Sequence, residues 1–201
     1  MVKTFVLVGI LATTIPAQGA AQNRDSKYEL GIRSAVITGT MNLSGLDPAF
    51  DDLGFDGLEG PHMSGFFFLY RVRPHLRIGV ETLVANSNQD AVTTMNYQAA
   101  GPVVGLSYGA SWFIAGGVHG GGLIVNAMAR QDPGPSQGAS PGTIYKGEGW
   151  FVAPYIDIGR RFRRNQLGVF VKSVHVFGES NRGGLTDFNA RFVGLRYAIG
   201  L

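Results

Sequence analysis

Period-two alternation runs through nearly the whole chain after residue 21. No other feature constrains the fold as tightly, because successive side chains point to opposite faces in a strand but not in a helix. Eight segments carry it: Tyr28–Leu43, His62–Val72, Leu76–Asn86, Tyr97–Tyr108, Ala110–Arg130, Gly149–Gly159, Gln166–Gly178 and Arg191–Leu201. Each predicts a strand, and no stretch gives a convincing amphipathic helix. The pattern persists to the last residue, where "GLRYAIGL" sets Leu195, Tyr197, Ile199 and Leu201 against Gly194, Arg196, Ala198 and Gly200.

The two faces differ in kind. In the third segment Leu76, Ile78, Val80, Thr82 and Val84 oppose Arg77, Gly79, Glu81, Leu83 and Ala85. The first sets Leu30, Ile32 and Val36 against Glu29, Gly31, Arg33 and Ala35, and the sixth sets Trp150, Val152, Ile156 and Ile158 against Ala153, Tyr155, Asp157 and Gly159. One face is apolar; the other mixes small residues with one or two charges. A soluble barrel would show water a face rich in Lys, Glu, Thr and Ser. Small residues instead suit the crowded interior of a narrow barrel, since eight strands leave room only for side chains. An Arg facing mid-bilayer lipid costs ~2–4 kcal/mol, so the charged face is expected inside and the apolar face against lipid. The expected lumen network is Glu29, Glu81 and Asp157 against Arg33, Arg71, Arg77, Lys172 and Arg196. Lys172 and His175 fall on opposite faces of the seventh segment, and Lys172 is assigned inward.

Composition agrees. Charged residues are 15% of 201, Gly is 30, and Cys is absent. That excludes disulfide and thiolate-metal chemistry, and a net charge of +3 gives no sign of a nucleic-acid partner. The first 21 residues have one Lys, an apolar run at Phe5–Ala12 and small residues at Ala17, Gly19, Ala20 and Ala21, the plan of a cleaved secretory signal. The expected domains are thus 1–21, signal peptide, and 22–201, barrel. Residues 91–129 hold no Asp, Glu, Lys or Arg, yet their glycines, Pro102 and alternation favour two strands over a membrane helix.

The connections alternate long and short. The short ones lie near "RPH", Gly109 and "RRFRRN"; the long ones include "SGLDPAFDDLGFDGLEGP", "SNQDAVTTM", "QDPGPSQGASPGTIYKGE" and "ESNRGGLTDFN". Even strand number, short periplasmic turns and longer external loops define outer-membrane barrels. The expected fold is therefore all-β, an eight-stranded antiparallel up-and-down transmembrane β-barrel of that plan.

Several motifs suggest chemistry. "GLSYG" (Gly105–Gly109) and "HGGG" (His119–Gly122) match esterase patterns, but no helix follows Ser107 and the second motif comes after the first. His175, with Ser173, Glu179 and Ser180, is the candidate centre of a lipid-modifying enzyme. Asp47, Asp51, Asp52, Asp56 and Glu59 form an acidic loop without the spacing of an EF-hand. No cofactor or metal is expected, and no catalytic residue is assigned. The short turns are basic, with Arg71, Arg73, His75, Arg77, Arg160, Arg161, Arg163 and Arg164.

The signal sequence, eight strands, charged lumen and closing "GLRYAIGL" resemble the small outer-membrane β-barrel superfamily of outer membrane proteins A, X and W. The resemblance spans the whole mature chain and rests on pattern, without a unique motif. It implies an outer-membrane location, outer-membrane lipid and lipopolysaccharide as partners, and a monomer. It also implies that Tyr197, Ile199 and Leu201 are read by the barrel-assembly machinery, with Leu201 where Phe or Trp is usual. The expected role is non-enzymatic, structural or surface-interacting through external loops. The alternatives are a lipid A-modifying enzyme using His175 and a narrow channel for small solutes.

Overall fold

The computed structural model describes residues 26–37, 62–89, 93–129, 144–180 and 190–201. They form eight strands: β1 (Tyr28–Ile37), β2 (His62–Arg71), β3 (Leu76–Gln89), β4 (Thr93–Tyr108), β5 (Trp112–Ala129), β6 (Ile144–Phe162), β7 (Asn165–Ser180) and β8 (Ala190–Gly200). Each pairs antiparallel with the next, and β1 closes on β8 with Arg33 opposite Arg196 and Ile32 opposite Tyr197. Closure leaves no strand edge, which hydrocarbon demands because it cannot hydrogen-bond a free backbone group. The signal sequence and the acidic loop lie outside the described residues.

Strands β3, β4, β6 and β7 run further than the alternation indicates, while residues 38–43, expected to continue β1, lie outside the described residues. Expected loop residues "SNQDAVTTM" are largely taken up by β3 and β4, and only 90–92 separate them. Likewise "RRFRRN" narrows to a two-residue turn, Arg163–Arg164, with Arg163 at φ 54°. The cause is pairing: polar residues continue a ladder whenever a neighbouring strand offers partners. Gly109, at φ 97°, makes the tight turn between β4 and β5, a conformation only glycine adopts without steric cost.

Two prolines sit within strands. Pro102 interrupts the β4–β5 ladder, which skips from Ala100↔Gly122 to Val103↔His119. Pro154 does the same between β6 and β7, where pairing jumps from Val152↔His175 to Tyr155↔Lys172. Proline lacks the N–H a ladder needs. At the first site the chains close in: a Cβ on Gly101 would strike the Gly120 carbonyl, and one on Gly121 the Ala100 carbonyl.

Inside, the barrel is layered. Toward the long-loop end lies an apolar cluster of Met63, Leu83, Tyr97, Leu123, Val125, Phe151, Phe170, Val176 and Phe192, all buried. The expected mixture of small residues and charges therefore describes only part of the lumen. The bulky side chains come from β2 to β8, while β1 adds only Ala35 to the cluster.

Candidate functional site

The candidate site is the polar half of the lumen, with the wall that surrounds it. Inward parity delivers one charged side chain after another from different strands: Glu29 and Arg33 from β1, Arg77 and Glu81 from β3, Asp157 from β6, Lys172 from β7 and Arg196 from β8, all seven buried. Arg71, at the end of β2, is only half-buried. It borders a cavity of about 10 Å³ at the short-turn mouth, beside Glu29, Arg77 and Gln166.

Arg33 lies at the centre. Its guanidinium bridges Glu81 and Asp157, with Nη2 donating to Asp157 Oδ2 at 2.9 Å. Aromatic rings pack around the same group: its Cζ is 4.7 Å from the Tyr155 centroid, 5.0 Å from Phe67 and 5.3 Å from Phe170. Such faces attract a cation and replace the water it has lost. Lys172 Nζ donates to Glu81 Oε1 at 2.6 Å, so Glu81 takes one cation from each side.

Arg196 makes the second node. It pairs with Glu29 and reaches Asp157 at 3.3 Å. Glu29 also meets Arg77 at 3.2 Å and accepts from Gln166 Nε2 at 3.0 Å. Gln166 Oε1 in turn accepts from Arg196 Nη1 at 3.2 Å. Three carboxylates thus hold four cations drawn from β1, β3, β7 and β8. Taking ions out of water costs several kcal/mol each, and only close, multiply bonded pairing offsets it.

Two members of this cluster were not placed in the lumen from the sequence. His119, fully buried on β5, has Nδ1 3.4 Å from Lys172 Nζ and its ring edge-on to Phe151 at 4.7 Å. Gln166 is the other. Parity was the available signal: Gln166 shares the face of Lys172, and His119 that of Leu123 and Val125. Glycines on both faces of β5 hid its phase.

The esterase-like motifs have other uses. Ser107 lies in β4 near its end; a hairpin follows, and its Oγ accepts from Arg161 Nη2 at 2.7 Å. His175 points outward from the barrel with Nε2 3.2 Å from Ser173 Oγ. The side chains of Glu179 and Ser180 lie outside the described residues.

The wall is apolar outside. Phe66 is 65% exposed, Val80 57% and Ile156 56%, and similar side chains project from all eight strands. Tyr28, Tyr70, Tyr108, Trp112 and Tyr197 face outward near the short-turn end, and Trp150 pairs with Phe177 near the other. An apolar girdle of this extent far exceeds what soluble monomers leave open to water. Between two aromatic belts it fits hydrocarbon.

No protein-family model matches the sequence, and no curated protein matches it. Solved structures do match in shape. Neisserial surface protein A (NspA) superposes with a TM-score of 0.58 at 9% identity, covering 88% of this chain and 98% of that one. Ail, the attachment invasion locus protein of Yersinia pestis, gives a TM-score of 0.50 at 6% identity over 87% of this chain and 95% of its own. At such identities the fold is what is shared. With its strands closed in sequential order and its apolar face turned outward, the chain has the fold of the small eight-stranded outer-membrane β-barrels.

Proposed function

We propose that this chain is an integral outer-membrane protein whose lumen is plugged by its own side chains and whose role is structural or is exerted through its external loops. The observation that carries this reading is the pairing of an apolar girdle outside with a largely buried ion-pair network inside. The lumen network of Glu29, Arg33, Arg71, Arg77, Glu81, Asp157, Lys172 and Arg196 then holds the wall together rather than serving a substrate. Residues 1–21 direct export and are removed. Tyr197, Ile199 and Leu201, all facing outward on or just beyond β8, are the segment read by the assembly machinery. Outer-membrane lipid and lipopolysaccharide surround the wall, and the barrel is a monomer. The names of the two similar barrels speak of the surface and of attachment, which agrees in kind with a loop-borne role.

Two other readings receive less support. A channel needs an open path, and Arg196, Tyr97, Phe151 and Phe192 fill the axis with fully buried side chains. An enzyme around His175 needs a partner base or acid beyond Ser173, its one described hydrogen-bond neighbour. Membrane fractionation with gel mobility before and after heating tests the main reading. An outer-membrane band that shifts on heating is expected. A soluble periplasmic protein without a shift would overturn it.

A further inference from the structure

The short-turn rim carries a charge pattern that neither the fold nor the lumen network uses. Lys27, Arg73, Arg160, Arg163 and Arg164 are exposed there. Among the described residues of that rim, no Asp or Glu side chain reaches the surface to neutralise them. The nearest carboxylate, Glu29, is buried and already engaged by Arg77, Arg196 and Gln166.

We propose that this rim binds the phosphates of anionic phospholipids in the periplasmic leaflet, with Arg160 and Arg164 as its principal contacts on the β6–β7 side and Arg73 on the β2–β3 side. The proposal rests on the membrane reading above and adds to it a leaflet, a lipid class and residues.

Three observations favour lipid over a soluble anion. The first is level. Arg160 shares the outward face of Ile158 and Ile156, and its guanidinium lies 5.8 Å from the Trp112 ring centroid. Next to it in the belt, Tyr108 stacks on His75 at 4.6 Å and 21°. The charges therefore begin where the aromatic belt ends, which is the depth of headgroups. Long basic side chains at that depth extend toward phosphate while their stems stay in the apolar band.

The second is placement. In the closed order, the β2–β3 and β6–β7 hairpins stand on opposite sides of the barrel. A compact ligand meets one side; a ring of lipids meets both independently. The third is selection within one run of arginines. Arg161 is half-buried and committed elsewhere, turning back to donate to Gly109 O at 2.5 Å, Ala110 O at 3.3 Å and Ser107 Oγ. It fastens the neighbouring turn, while Arg160, Arg163 and Arg164 are left to the outside.

Trp112 provides the probe, since brominated acyl chains quench only the indoles they touch. The chain carrying Trp150→Phe, which leaves Trp112 as its one tryptophan, is refolded into phosphatidylcholine vesicles holding a minority of phosphatidylglycerol, with one lipid brominated at a time. Brominated phosphatidylglycerol is expected at Trp112 at about fivefold its bulk fraction, the weight of one basic residue at an anionic surface. The preference should fall to the bulk ratio in Arg160→Gln/Arg164→Gln, and in the parent at high salt, which screens such contacts. The salt arm needs no second fold to succeed. Equal quenching by the two lipids, or a preference that survives both substitution and salt, would overturn the proposal. So would absent lipid preference with co-sedimentation on peptidoglycan, which would assign the rim to an acidic polymer. No quenching by either lipid would instead reject the membrane reading on which the proposal stands.

Discussion

Arg33 shows what a single residue must satisfy in this barrel. It is 2% exposed and touches two carboxylates and three aromatic rings. Replacing it with Met keeps most of the volume but strips a counter-ion from both Glu81 and Asp157. Lys172 and Arg196 still neutralise one side of each, so the expected loss lies above that of an exposed pair but below the ~3–5 kcal/mol of a buried charge left without any counter-ion. Denaturant unfolding of the refolded barrel measures it. A loss within that of an exposed pair, ~0–1 kcal/mol, would show that the network contributes little. Alternation alone places Arg33, Glu81 and Asp157 on the inner face. It does not say which carboxylate Arg33 takes, because its partners lie 48 and 124 positions away. Barrel closure and strand stagger bring them together.

At the scale of elements, β4 and β5 depend on a close backbone approach. A side chain at Gly101 would enter the Gly120 carbonyl, whereas a Cβ at Gly122 meets nothing within 4 Å. Gly101→Val is expected to abolish the heat-dependent gel shift, and Gly122→Ala to leave it intact. Equal behaviour of the two would reject the packing account. On β8, Tyr197 and Ile199 face outward, and Leu201 projects just beyond the strand at 60% exposure. A residue that open contributes little packing. Leu201→Ser is therefore expected to lower the amount assembled in cells while unassisted refolding into detergent proceeds as before. Impaired refolding in detergent would make Leu201 a structural residue rather than part of an assembly signal. The eight strands were legible as segments because alternation survives single interruptions. Their ends were not, since strands β3, β4 and β6 continue through polar residues that only a paired neighbour makes extended.

Across the whole molecule the decisive quantity is which face meets which medium. Ile156 lies between the two belts, six residues after Trp150 and four before Arg160, and is 56% exposed. Ile156→Arg is expected to cost ~2–4 kcal/mol in a bilayer, the value for a basic residue facing mid-membrane lipid. The comparison is with Ile156→Ala in the same vesicles; equal stability of the two variants would mean that this face does not see lipid.

The sequence by itself determined strand number and, outside β5, which face of a strand is apolar. Both follow from a local rule, that neighbours in a strand point opposite ways, and from the cost of placing charge against lipid. Only the tertiary structure decided the rest: that β1 closes on β8 with Arg33 beside Arg196, that the ion pairs occupy one half of the lumen and bulky apolar side chains the other, and that His119 and Gln166 join the network. Those facts depend on how far each strand slides against the next around the ring. That stagger is set by the packing of all eight walls at once, and no single segment records it.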